Sequence, residues 1–217
     1  MPKLLDLFTG TGSVARVAKE LGYDVCTLDI DPKTNPTICA DILEFDYTTL
    51  DDDFDVVWIS CPCETFSAAR RSNLGRMVKG EIMTPETLLR DTIEIGVPIL
   101  RRCQELIRHL NPRVWFIENP YSGNMKNYID LKPAIYDYCM YGFNYRKRTA
   151  IWSNTQLNGK CCDKSHLVNN RHPMVAIGAN KKQQGQGGGS SKAGRYAIPQ
   201  GLIVELLTST SPSSGSR

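Results

Sequence analysis

Two short stretches of this chain bring together residue types that could make and break bonds. One is Ser60-Cys61-Pro62-Cys63-Glu64-Thr65-Phe66-Ser67, and the other is Glu118-Asn119-Pro120-Tyr121. A thiolate is a strong nucleophile, and a carboxyl held away from water is a proton donor. Placed side by side, Cys63 and Glu118 could form a covalent bond to a substrate and manage its proton. The plainer readings are that Cys61 and Cys63 are small buried apolar side chains or a C-x-C metal pair, and that Glu118 caps a helix.

A third stretch, Asp6-Leu7-Phe8-Thr9-Gly10-Thr11-Gly12-Ser13, has two glycines two positions apart, which lets backbone approach a ligand closely. The dinucleotide fingerprint wants a further glycine at position 15, where this chain has Ala. The expected ligand is therefore nucleoside-like and lacks a pyrophosphate. Asp29, followed by Ile30, stands where an acid accepts hydrogen bonds from ribose hydroxyls, although a turn or helix cap is the plainer role. Asp41 could receive an adenine amino group. In this order the three features suggest S-adenosyl-L-methionine. The expected cofactor contacts are Phe8, Thr9, Gly10, Thr11, Gly12, Ser13, Asp29, Ile30, Asp41 and Pro62.

Each stretch follows a segment that reads as a strand. Residues 3–8 (KLLDLF), 23–29 (YDVCTLD), 36–42, 54–60 (FDVVWIS) and 113–118 (RVWFIE) are apolar and largely β-branched or aromatic. Residues 14–21 and 84–110 have helical periodicity, the first stopping at Gly22 and the second predicted to kink or break at Pro98. Residues 134–141 and 148–153 read as a closing pair of strands, and a last helix begins at Pro199. Alternating strands and helices predict an α/β fold: a single Rossmann-like domain with a mostly parallel, seven-stranded sheet. Ligands of such sheets bind beyond the carboxyl ends of the strands, where the chemical residues sit.

The 217 residues suit one domain, and 41% hydrophobic with 23% charged composition excludes a disordered or low-complexity chain. No apolar run reaches a membrane span. The opening MPKLLDLFTG carries Asp6 and does not read as a signal peptide, so a reducing, cytoplasmic setting with free thiols is expected, in a host cell if the protein is viral. Residues 140–195 hold ten Lys or Arg against one acid, Asp163, on an otherwise acidic chain. Such a block is a footprint for a polyanion, or else a solvated loop. The expected organisation is a core at 1–153, a reduced basic segment at 154–194, a returning helix at 195–208 and a disordered tail at 209–217.

These motifs together resemble those of the cytosine-C5 DNA methyltransferases, in the small form found in phages and large DNA viruses. Asp6–Gly12 resembles the family's D-L-F-x-G-x-G loop and Pro62–Ser67 its P-C-Q-x-F-S loop; Glu118-Asn119-Pro120 resembles E-N-V and Asn144–Arg148 resembles Q-x-R-x-R. Residues 195–207 resemble the last family motif. The resemblance implies that Cys63 adds to C6 of cytosine, that Glu118 protonates or hydrogen-bonds N3, and that C5 then takes a methyl group. It implies that Arg148 holds the base, that Arg146 supports the site, and that the partner is duplex DNA with its target cytosine flipped out. The expected nucleic-acid contacts are Ser67, Arg70, Arg71, Arg76 and Lys79 on the loop after the nucleophile, and Lys160, Lys164, Arg171, Lys181 and Lys182 on the basic segment. A monomer and no membrane partner are expected.

The chain departs from the pattern at Glu64, where the family has Gln, and at Pro120, where it has Val. An acid beside the nucleophile disfavours its thiolate. The segment between the arginine motif and the last motif is too short to build much of a core, which predicts short or relaxed recognition of DNA sequence. An RNA or tRNA substrate, and an inactive nucleic-acid-binding relative, are the rival readings. An amino-group methyltransferase is a further one, disfavoured by motif order. Cys161, Cys162, His166 and His172 match no common zinc module, and no metal is expected.

Overall fold

The computed structural model describes residues 1–209 except 52, 79, 168, 170 and 175–195. The sheet runs β3-β2-β1-β4-β7-β9-β8, built from β1 (Lys3–Leu7), β2 (Asp24–Asp29), β3 (Ile38–Cys39), β4 (Val56–Ile59), β7 (Val114–Pro120), β8 (Ala134–Asp137) and β9 (Arg148–Ser153). Pairings from β3 to β7 are parallel, and β9 is antiparallel to both of its neighbours. The expected Rossmann-like α/β fold with a mostly parallel seven-stranded sheet is thus present. A small hairpin, β5 (Met77–Val78) with β6 (Glu81–Ile82), stands apart from the sheet.

The central strands are buried on both faces, as parallel sheets are. Leu5, Leu7, Val57 and Ile59 pack with Leu100, Cys103 and Leu106 on one face. Leu4, Val56, Trp58 and Phe116 pack on the other with Val14 and Val17 of α1 (Ser13–Glu20) and with Leu202 and Leu206 of α4 (Gln200–Ser209). Each such side chain contributes about 1.5–3 kcal/mol through burial. The backbone N–H of Ile198 donates to Ser13 Oγ at 3.3 Å, tying the entry to α4 against the start of α1.

One segment breaks as its sequence predicts and another differs from its expectation. The long helical stretch is α2 (Pro85–Asp91), a π-turn (Thr92–Gly96) and α3 (Val97–Leu110). The break falls just before Pro98, which has no N–H to offer the preceding turn and whose ring crowds the carbonyl four residues back. The widened turn absorbs this conflict. The strand expected over 134–141 stops at Asp137 and turns into a 3-10 segment, Tyr138–Tyr141, ending at Gly142 with φ 88°. Beyond β9 the chain returns along β8, where Lys160 N–H donates to Ile135 O at 2.8 Å and Asp137 N–H donates to Lys160 O at 2.9 Å. No helix among the described residues is long and apolar enough to cross a membrane.

Candidate active site

Strand order reverses between β1 and β4, and at such a switch point the loops diverge and leave a crevice. There a cavity of about 1470 Å³ opens at the carboxyl ends of β1, β4 and β7. The loop after β1 forms one wall through Phe8, Thr9, Gly10, Thr11 and Ser13. Phe8, Gly10 and Gly12 have φ of 62°, 49° and 68°, so the loop is built of left-handed residues, and Gly12 is the N-cap of α1. Asp29 fixes this loop: its Oδ2 accepts from Gly10 N–H at 2.9 Å and its Oδ1 from Asp31 N–H at 2.9 Å. Asp29, Ile30 and Asp41 are not among the residues lining the cavity. Ile30 is exposed, and Asp41 Oδ1 accepts from Leu43 N–H at 2.9 Å in a turn. Asp6 lies beneath the loop. Burial pushes its carboxyl up to about 7, against the Thr9 hydroxyl donated to it at 2.8 Å.

Pro62 and Cys63 also line the cavity, with Glu118 from β7. The loop after β4 is clamped from two sides. Asn119 Nδ2 donates to Cys61 O at 3.1 Å, and Thr92 Oγ1 in the π-turn donates to Thr65 O at 2.8 Å. A Cβ on Gly96 would stand 2.3 Å from Thr65 Oγ1 and 2.9 Å from Phe66 Cζ, so only glycine fits beneath the loop. Cys61 is buried, with its Sγ 3.9 Å from Cys103 Sγ. Cys63 is half-buried and borders the cavity. Burial raises the Cys63 thiol above its usual range, Glu118 and Glu64 raise it further, and Lys147 opposes them.

Glu118 Oε1 accepts from Tyr138 Oη at 3.1 Å and lies 3.9 Å from Lys147 Nζ. Arg146 and Arg148 also line the cavity. Both are held by Asp137, whose side chain is wholly buried. Arg148 Nε and Nη2 donate to Oδ1 and Oδ2 at 3.0 and 2.9 Å, and Arg146 Nε donates to Oδ1 at 3.2 Å. A two-pronged pair of this kind fixes the plane of the guanidinium. Lys147, Asp137, Tyr138 and Asn119 are site residues that sequence reasoning missed. Lys147 alternates with the two arginines inside the quoted motif, a signal that was present and unused.

Ser67 and Arg70 line the cavity, and Arg70 forms an ion pair with Asp91. Ser67 caps the 3-10 segment Ala68–Asn73, accepting from Ala69 N–H at 3.1 Å. Arg71 and Arg76 are exposed on the same excursion. Lys160, Lys164 and Arg171 are exposed on the segment after β9. Lys79, Lys181 and Lys182 lie outside the described residues.

A cavity at the strand switch, lined by a glycine loop, a thiol and a carboxyl, marks this as a Rossmann-like α/β domain with its candidate site where such sheets bind ligands. The chain is 38% identical to the probable DNA (cytosine-5)-methyltransferase of Frog virus 3 (isolate Goorha) over 218 residues, covering 94% of this chain and 98% of that protein. The chain belongs to the DNA (cytosine-5)-methyltransferase family. No family model matches it. Among solved structures it is similar to the Dnmt2 methyltransferase of S. pombe, with 15% identity, TM-score 0.48, and coverage of 74% of this chain and 53% of that one. It is also similar to the Entamoeba histolytica methyltransferase EhMeth, with 12% identity, TM-score 0.49, and coverage of 73% and 56%. The chain therefore spans about half the length of these solved structures.

Proposed function

We propose that this protein methylates C5 of cytosine in DNA, using S-adenosylmethionine and a covalent bond between Cys63 and C6. One observation carries the reading: Cys63, on the loop after β4, and Glu118, on β7, line a single cavity together with the glycine loop after β1. Small-molecule pockets run to about 1,000 Å³. At about 1470 Å³ this one has room for a nucleoside-sized cofactor and an extruded base together.

The residues present fit the cofactor. The left-handed loop brings Phe8, Thr9, Gly10 and Thr11 to the cavity without side-chain bulk at Gly10, and Pro62 also lines it, whereas Gly12 does not. Bound S-adenosylmethionine supplies an electrophilic methyl group. The chain's own residues prepare the base to accept it. Cys63 gives its proton to water as the cytosine enters, and its thiolate adds to C6, opening the C5–C6 double bond and shifting electron density toward C5. Glu118 hydrogen-bonds N3 and stabilises the charge that develops on the ring. Tyr138 holds the Glu118 carboxyl in place. Arg148, fixed by Asp137, holds the base by its polar edge, and Arg146 supports it. After transfer, loss of the C5 proton to a base expels Cys63 and restores the ring. Ser67, Arg70, Arg71 and Arg76 contact the backbone of the extruded strand, and the basic segment 154–194 adds affinity.

The test is a covalent trap with DNA carrying 5-fluorocytosine in many contexts and S-adenosylmethionine. Fluorine does not leave as a proton does, so the adduct persists on a denaturing gel. The adduct is expected with the wild type, absent in Cys63→Ala and retained in Cys61→Ala. An adduct on RNA but not DNA would reassign the substrate, and no adduct on either would refute the mechanism.

A further inference from the structure

Away from the cavity, Cys139, Cys162, His166 and His172 converge, with one ligand atom from each lying within 4.8 Å of the others. Cys162 Sγ is 3.7 Å from His172 Nε2 and 4.0 Å from His166 Nε2. A tetrahedral zinc ion with two sulfur and two nitrogen ligands holds its donors roughly 3.3–3.8 Å apart, given bonds of about 2.3 and 2.0 Å. The four groups are thus nearly in place. Sequence reasoning had grouped Cys161 with Cys162 and the histidines and expected no metal. In the structure Cys161 Sγ points to Ile135 O, 3.9 Å away, and its place is taken by the buried Cys139, from the 3-10 segment after β8.

We propose that these four residues bind one zinc ion in a closed, structural site. The donor set is two thiolates and two imidazoles, which suits zinc. Its four protein ligands leave no open position for catalysis. Residues 162–172 fall in a segment too short to bury a core, and a metal staple is what such segments use instead. The site also reaches the cavity. Cys162 N–H donates to Asp137 Oδ2 at 2.8 Å, on the same carboxylate that grips Arg148 and Arg146. Fixing Cys162 therefore fixes the acceptor that aims both arginines.

The test measures metal in the full chain purified from zinc-supplemented medium without chelator. About one zinc per chain is expected. His166→Gln, at an exposed position, and Cys162→Ser should each lose most of the metal, while Cys161→Ser retains it. Cobalt substitution should give the visible bands of a tetrahedral thiolate site. A chelator should lower the melting temperature of the wild type and leave His166→Gln unmoved. Less than about a tenth of an equivalent in the wild type would overturn the proposal. So would equal loss in Cys161→Ser and Cys162→Ser, or a native mass showing Cys139 and Cys162 joined as a disulfide. None of these readouts depends on methyl transfer, so the site stands or falls apart from the proposed activity.

Discussion

Cys63 rests as a thiol, because burial and two acids oppose its ionisation. Glu64, one of the two positions at which this chain departs from the family motifs, is one of those acids. Removing its charge lowers the Cys63 pKa. Glu64→Gln should therefore be alkylated at Cys63 about two- to fivefold faster at fixed pH, measured by mass spectrometry under limiting iodoacetamide. An unchanged rate would show that solvent screens Glu64 from the sulfur. Asp6 gives a second pH effect with the opposite kind of readout. Its folded-state pKa is raised from 3.8 to about 7, so the folded state binds the extra proton. Stability is unaffected below pH 3.8, falls as pH rises to about 7, and bears the full cost above that, up to about 4 kcal/mol. Asp6→Asn should flatten this loss, with urea midpoints diverging from the wild type at about pH 8 and converging near pH 4.

At the scale of elements, the loop after β4 is braced by the π-turn between α2 and α3, where the Thr92 hydroxyl donates to Thr65 O. Gly96 is the point of closest approach. Gly96→Ala should push Thr65 and Phe66 outward, costing about 1–3 kcal/mol of stability. It should also weaken adduct formation, although residue 96 touches no substrate. Urea unfolding and the fluorocytosine gel check the two parts separately. How far the sequence disclosed the site follows the same line. Cys63, Glu118 and the glycine loop were legible because each is local, a motif immediately after a strand. Asp137 was not, because its role depends on β8–β9 register, which places it directly opposite Arg148. Asn119 was quoted within its motif, but its grip on Cys61 spans two strands. The π-turn was legible only as a conflict at Pro98, since periodicity does not say how a helix resolves one. Cys139 lies 23 residues before Cys162 and carries no spacing signal.

At the scale of the whole molecule, charge is segregated, and binding to DNA should follow it. Each phosphate contact contributes about 0.9 to the slope of log affinity against log salt. Arg71→Gln combined with Arg76→Gln should weaken binding at low salt across all DNA sequences and reduce that slope by nearly two. Fluorescence anisotropy over a salt series would measure it. A loss confined to one sequence context would instead assign these arginines to base reading.

The contact between α1 and α4 has a consequence for the making of the protein. Ile198 leaves the ribosome 185 residues after Ser13, yet the two share a hydrogen bond. Closing a loop of that span is slow, because its entropy must be lost before any contact repays it. Until α4 arrives, Val14, Val17, Trp58 and Phe116 have an uncovered flank. The nascent chain thus carries an apolar face until residues 198–207 have been made, and its glycine loop stays without that neighbour for as long. Slower translation lengthens the exposure of that face.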